Sequence, residues 1–209
     1  KYYNGNHGIS KHECDTLRLE DVWYDSLDED HDTPNFDVYN DPYYFTDLWV
    51  CWCMYSRQYL RMMTRPKCVE SHGVKSSAIE YLDGVTLDGI KSVVDLGCGL
   101  GISTVALSQL FPQATVWGTN IEHTRQYDFC EYLSGMYRIK MFGDPWPWES
   151  PDLYGADLVF ASEYLEHILD AGDHIENICK HMQPQHICMA NSFNTQSIGH
   201  FEYHYHGGE

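Results

Sequence analysis

Two short stretches of the chain hold residue types that can do chemistry. The first runs Asp95, Leu96, Gly97, Cys98, Gly99, Leu100, Gly101, an acid directly before three alternating glycines. Glycine has no Cβ, so the backbone of such a turn can approach a ligand closely. A helix starting behind it would offer unpaired N–H groups to a polar or anionic group. The second stretch is Glu163, Tyr164, Leu165, Glu166, His167. If a helix begins at Tyr164, Glu163 and His167 lie four apart on one face with Glu166 beside them. Two carboxylates and an imidazole so placed can hold a divalent cation.

The elements that must position these residues follow from periodicity. Val93 and Val94 precede the glycine turn, and an apolar 3.6-residue period at Ile102, Val105, Ala106 and Leu110 follows it. This predicts a buried strand over 92–96 and a helix over 102–110. Beyond them the chain alternates: strand 115–119, helix 124–133, strand 138–142, a Pro/Trp loop, strand 157–161, helix 164–181 and strand 186–190. Such alternation implies an α/β fold, an open and mostly parallel sheet with helices on both faces. Ligands of such sheets sit beyond the carboxyl ends of the strands, where the strand order switches. Residues 1–44 are polar, aromatic and acidic, and read as an irregular arm with one short helix. Asp41-Pro42 marks a helix entry, followed by a helix over 45–63 and a shorter one over 76–82. The expected division is thus an N-terminal arm with helices covering the site (1–90) and a ligand-binding core (91–209). Residues 199–209 read as a stub cut off before a closing hairpin.

Composition narrows the functions. Hydrophobic residues make up 43% and charged residues 21% of 209 positions, so a globular domain with a sizeable core is expected. The formal net charge of −18 opposes a phosphate backbone and disfavours nucleic acid as partner. The one basic stretch, 57–67, reads as the polar face and C-terminal charges of a helix. No apolar run approaches the ~20 residues that span a bilayer, and no signal-peptide pattern is visible. The 8 cysteines include no CxxC pair. They read as reduced, mostly buried thiols of a cytoplasmic protein, with no cysteine zinc site.

The turn is DxGxGxG rather than GxGxxG; the usual dinucleotide fold would need glycine where Ile102 stands. It resembles the first motif, (D/E)xGxGxG, of the class I, Rossmann-like S-adenosylmethionine-dependent methyltransferases. In that family the segment Gly97, Cys98, Gly99, Gly101 would approach the amino-acid end of the cofactor, with Asp95 close beneath. The second motif ends a strand with an acid on the ribose hydroxyls. Here Asn120 stands there, followed by Ile121; an amide bonds a hydroxyl but supplies no charge, and Glu122 is a possible substitute. Gly143-Asp144 resembles the third motif, which implies Asp144 on the adenine amino group with Pro145 and Trp146 walling the base. The run 157–168, with Ser162, Glu163 and the sequence Tyr-Leu-Glu-His after it, is similar to the family's fourth motif. The resemblance covers about 91–193, with four motifs in order.

The ExxEH run also resembles the ligand set of the small-RNA 3′-end 2′-O-methyltransferases and of the ubiquinone-pathway O-methyltransferases. It implies Mg2+ or Mn2+ on Glu163, Glu166, His167 and a later histidine, for which His200 is placed, with His204 and His206 close behind. Many relatives carry a similar run without metal, for helix capping and pocket shape. A sulfonium methyl donor needs an in-line nucleophile, so the protein supplies positioning and, for a hydroxyl, proton removal or metal activation. His167 is then the candidate base or ligand and Glu163 its partner. The expected function is methylation of an oxygen on a small or medium acceptor. The alternatives are a metal-assisted nucleic-acid methyltransferase and a non-catalytic cofactor-binding or scaffold domain.

Overall fold

The computed structural model describes residues 11–27, 35–46, 48–49, 89–143, 146–193 and 195–201. Five strands form one sheet: β1 (Ser92–Leu96), β2 (Thr115–Thr119), β3 (Ile139–Phe142), β4 (Leu158–Ser162) and β5 (His186–Ala190). Their order is β3-β2-β1-β4-β5 and every pairing is parallel. This is the Rossmann-like open sheet that the alternation predicts. Side chains alternate across it, and both sides are buried. Val93, Leu158 and Phe160 pack on one face with Val105, Leu107 and Phe111 of α2 (Ile102–Leu110). Val94, Leu96, Val159 and Ala161 pack on the other with Leu165, Ile178 and Met182. Asp157 Oδ2 pins the start of β1 beside β4, accepting from the Lys91 and Ser92 N–H groups at 2.7 and 2.9 Å.

Helix α3 (Arg125–Ser134) connects β2 to β3 and begins on Thr124, whose hydroxyl oxygen accepts from the Tyr127 N–H at 3.2 Å. The strand order reverses at β1. The chain leaves it through α2 toward β2, while β4 lies on its opposite edge. A crevice therefore opens at the carboxyl ends of β1 and β4. Residues 97–101 stand on one side of it and residues 163–167 on the other.

Three expectations are corrected. The arm holds not a short helix but α1 (Lys11–Ser26), 16 residues long. Leu19 and Trp23, four apart, are fully buried against Val38, Tyr39, Ile198 and Phe201. The Trp23 indole N–H donates to the His200 carbonyl at 2.9 Å, and the Tyr24 hydroxyl to the Ser197 carbonyl at 3.0 Å. Second, the helix expected over 164–181 is broken. A 3-10 turn, Leu165–His167, is followed by extended backbone at Ile168. Asp170 then starts a new helix, α4 (Ala171–Asn177), by accepting from the Asp173 N–H at 3.0 Å. The break has a local cause. Asn191 Oδ1, just after β5, accepts the Tyr164 and Leu165 N–H groups at 3.0 and 2.9 Å and pins the turn to the sheet. Third, α4 runs into a π turn, Ile178–Met182, in place of a regular last turn.

The helix entry at Asp41-Pro42 stands: residues 42–46 are helical and Asp41 Oδ1 accepts from the Tyr43 N–H at 2.8 Å. Most of the helix expected over 45–63, all of that over 76–82, and residues 202–209 lie outside the described residues. No described helix is long and apolar enough to cross a membrane. Cys98, Cys130, Cys179 and Cys188 are free thiols.

Candidate active site

The three glycines of the turn all have positive φ, yet they stand in different surroundings. A Cβ on Gly97 (φ +57°) would lie 2.2 Å from Cδ2 of the Tyr164 ring. One on Gly101 (φ +76°) would lie 3.2 Å from Cys130 Sγ and from Leu133. One on Gly99 (φ +55°) would meet nothing within 4 Å. The protein fills the space beside the outer two glycines and leaves the middle one facing open space. The loop is held by backbone and hydroxyl bonds. Thr119 Oγ1 accepts the Gly97 N–H at 3.1 Å, the Thr119 carbonyl accepts the Cys98 N–H at 2.9 Å, and the Cys98 carbonyl accepts the Gly101 N–H at 2.7 Å. Helix α2 starts on Gly101 with no side-chain cap, so its first-turn donors face the crevice without one.

Asp95 is buried at the end of β1, where its Oδ2 accepts from the Ser103 and Thr104 hydroxyls at 2.6 and 2.5 Å. Burial pushes its carboxyl up to about 7 against the two lowering hydrogen bonds. The acid thus ties β1 to the first turn of α2, beneath the loop. Asn120 also works inside the loops. Its Nδ2 donates to the Gly99 carbonyl and its Oδ1 accepts the Ile121 N–H, each at 2.9 Å. An aspartate could not donate to that carbonyl, which gives a physical reason for the amide. Behind the loop, Cys98 and Cys130 are 3.9 Å apart, and the Cys130 thiol donates to the Gly99 carbonyl at 3.2 Å.

The loops after β2 and β3 meet at Gly143, where a Cβ would lie 2.8 Å from Glu122 Cγ and 3.0 Å from the Tyr127 hydroxyl. Asp144 and Pro145 lie outside the described residues. Trp146 leans on Trp148 and on His174, with ring centroids 5.4 and 5.8 Å away.

Across the crevice, Ser162 ends β4, and Glu163 is exposed at φ +51°, its N–H donating to the Ala190 carbonyl at 2.7 Å. Glu166 is fully buried; its Oε1 accepts the Ser192 N–H at 3.0 Å, and its Oε2 meets no donor among the described residues. Burial, with the Glu163 carboxyl beside it, raises Glu166 to about 7. His167 Nδ1 lies 3.3 Å from the Tyr39 hydroxyl, and its ring meets the His200 ring edge-on at 4.7 Å. His200 is buried and its Nδ1 donates to the Thr195 carbonyl at 2.6 Å. Glu163, Glu166, His167 and His200 therefore share one corner, but not on one helix face, because the helix does not form. Among the described residues no group of three or more His, Cys, Asp or Glu is arranged to hold a metal ion. The implied Mg2+ or Mn2+ set is thus unsupported; His204 and His206 lie outside the described residues.

The raised carboxyl of Glu166 has a measurable consequence. Its ordinary value is 4.5 and its folded value about 7, so its contribution to stability is present below about 4.5 and lost as pH rises through about 7. Asp95 acts in the same sense between 3.8 and about 7. His174, lowered by burial from 6.5 to about 4, acts oppositely and only below 6.5. Denaturant melts of wild type and Glu166→Gln compared between about pH 4.5 and pH 7.5 therefore isolate Glu166, because the Asp95 and His174 contributions are common to both. Glu166→Gln is expected to flatten the fall in midpoint over that interval, leaving the parts due to Asp95 and His174.

Sequence reasoning missed several residues here. Tyr164 supports Gly97, and its hydroxyl lies 2.9 Å from Nε2 of the buried His174. Thr119, Asn191, Tyr39 and Gly199 belong to the same set. Tyr164 stood inside the fourth motif and Thr119 in the strand of the second, without these roles; Tyr39, Asn191 and Gly199 are brought to these contacts by tertiary packing.

No family model matches the chain. It is 29% identical over 108 residues to trans-aconitate 2-methyltransferase of Azoarcus sp. (strain BH72), covering 52% of this chain and 41% of that protein. The chain thus spans about two-fifths of the length of the curated relative it matches. Among solved structures it is similar to StiE O-MT residues 961–1257, at 25% identity and TM-score 0.44, covering 60% of this chain and 46% of that one. It is also similar to the plantazolicin methyltransferase BpumL in complex with a monoazolic desmethylPZN analog and SAH, at 12% identity and TM-score 0.48, covering 82% and 58%. The parallel sheet ordered β3-β2-β1-β4-β5 with the DxGxGxG turn at its switch point is a Rossmann-like fold, and over about half of its length the chain is similar in sequence to a methyltransferase.

Proposed function

We propose that this chain transfers a methyl group from S-adenosylmethionine to an oxygen of a small or medium organic acceptor. The observation that carries the reading is Gly99, which faces open space at the switch point between two glycines already packed by protein. When bound, S-adenosylmethionine supplies a methyl group on a sulfonium; the S–CH3 bond breaks, an O–CH3 bond forms, and the neutral thioether S-adenosylhomocysteine leaves.

The chain's own residues would then act as follows. The backbone of 97–101 and the first turn of α2 hold the amino-acid end, with Cys98 behind the loop and Asp95 fixing it from below. Asn120 keeps one N–H and one lone pair for a ribose hydroxyl beyond its two loop bonds; Ile121 and Glu122 border the same place. Asp144 would take the adenine amino group, with Pro145 and Trp146 walling the base. On the acceptor side Ser162 and Glu163 end β4, and a ring nitrogen of His167 takes the proton of an acceptor hydroxyl. No step is assigned to a metal. Residues 1–90 serve as the cover of the site and 91–209 as its core. The net charge of −18 favours a small acceptor over nucleic acid. Free thiols fit the reducing cytoplasm.

The test is transfer of a labelled methyl group from S-adenosylmethionine to a panel of small hydroxyl-, carboxyl- and amine-bearing compounds that includes trans-aconitate. Labelled ethers or esters are expected. Label appearing on amines alone would overturn the choice of oxygen.

A further inference from the structure

The middle of the glycine turn is a single peptide group, between Gly99 and Leu100. Residues 98–101 form a four-residue turn, closed by the Gly101 N–H on the Cys98 carbonyl at 2.7 Å. In such a turn the middle peptide takes no part in the closing bond. Here its carbonyl, that of Gly99, is taken by two side chains from different elements. Asn120 Nδ2, just after β2, donates to it at 2.9 Å, and the Cys130 thiol of α3 donates at 3.2 Å. The sense of both bonds is fixed, because a carbonyl only accepts. The amide is oriented independently: the Ile121 N–H, which only donates, occupies Asn120 Oδ1 at 2.9 Å, so the nitrogen faces Gly99. Both side chains are held in place. The Asn120 N–H is tied to the Phe142 carbonyl at 3.1 Å. Cys130 is fully buried, and its sulfur sits where a Cβ on residue 101 would be only 3.2 Å away.

We propose that Asn120 and Cys130 are positioning residues for the glycine turn: together they hold the Gly99 carbonyl toward β2 and α3 and so aim the Leu100 N–H of the same peptide at the crevice. The peptide bonds of the described residues are trans, so that N–H points opposite to the carbonyl. Strands β2 and β4 lie on opposite edges of β1. Away from Asn120 is therefore toward the β4 side, where the crevice opens. Among the described residues no acceptor takes the Leu100 N–H, and a Cβ on Gly99 would meet nothing within 4 Å. The two primed turn types share a positive φ at the first central residue, as at Gly99, and differ by a flip of this peptide. Two donors on one carbonyl add to the leucine's own resistance to positive φ in excluding the flipped form. The inference rests on the reading that the turn meets the amino-acid end of S-adenosylmethionine, and its test separates the two.

The full chain is titrated as wild type, Cys130→Ala and Cys130→Ser with S-adenosylhomocysteine and with 5′-methylthioadenosine, which lacks the amino-acid end. Cys130 is buried behind the loop, so its variants act through the turn. Cys130→Ala is expected to weaken S-adenosylhomocysteine about three- to tenfold and methylthioadenosine less than about twofold. Cys130→Ser, which keeps a donor, is expected to stay within about twofold of wild type for both. A second measurement needs no ligand: the carbonyl-carbon chemical shift of Gly99 in the 13C,15N-labelled chain. It is expected to move upfield in Cys130→Ala and further in Asn120→Asp, as each removes a donor from that oxygen. Gly99 shifts unchanged in both variants overturn the proposal. So does a wild type that binds S-adenosylhomocysteine no better than Cys130→Ala does, or a Cys130→Ala that loses both compounds equally. If the wild type binds neither compound while the Gly99 shifts move as expected, the pinned turn stands and S-adenosylmethionine is refuted as its ligand.

Discussion

Gly97→Ala is expected to destabilise the fold by about 2–6 kcal/mol, a large share of the ~5–15 kcal/mol that holds a domain together. Two costs add. A Cβ at φ +57° is strained whatever surrounds it, and here it would also stand 2.2 Å from the Tyr164 ring. That ring cannot swing away freely, because its hydroxyl bonds the buried His174 and its backbone N–H is held by Asn191. Gly99→Ala, two residues on, carries the strain of about 1–2 kcal/mol alone, since nothing lies within 4 Å of its Cβ. That variant should fold and yet lose most of its cofactor affinity, because the methyl group occupies the space where the ligand's amino-acid end would lie. Urea denaturation with and without S-adenosylmethionine separates the two. The midpoint falls in Gly97→Ala, whereas in Gly99→Ala the ligand-induced rise disappears. Equal stability of wild type and Gly97→Ala would refute the packing role of Tyr164.

The second large effect is on rate. His167→Gln is expected to lower methyl transfer to a hydroxyl acceptor about 10²–10⁴-fold while leaving cofactor affinity within about twofold, the signature of a group that moves a proton in the transition state. Glutamine keeps polarity and approximate volume at a half-buried position, so loss of folding is not the expected cause. Initial rates at saturating cofactor give the comparison. A kcat within a factor of two of wild type would remove His167 from the proton transfer, leaving the turn at 165–167 a structural role.

The sheet and its ligand crevice were legible in the sequence because each strand is a short β-branched or apolar run and the glycine turn punctuates the first of them. Val93 and Val94 sit buried on opposite faces as a two-sided parallel strand demands. The break after His167 was less legible. The pattern from Tyr164 to His181 carries helical periodicity, and the forces that interrupt it come from elsewhere: Asn191 holding the Tyr164 and Leu165 N–H groups, and Asp170 offering a fresh helix start. Asn120 shows the same limit from another side. As a motif it is a missing acid; in the fold its amide joins Gly99 to Ile121, a use that a carboxylate cannot copy. Nothing in the sequence singled Tyr39 out from the other tyrosines of an arm expected to cover the site, because its contact with His167 spans 128 positions of sequence.

The central claim, that the glycine turn holds S-adenosylmethionine, is tested most directly by calorimetric titration of the wild type and of Gly99→Ala with S-adenosylmethionine, S-adenosylhomocysteine and NAD. Saturable heat with both sulfur compounds, none with NAD, and loss of that heat in Gly99→Ala are expected. No heat with either sulfur compound in the wild type, or undiminished heat in Gly99→Ala, would contradict it.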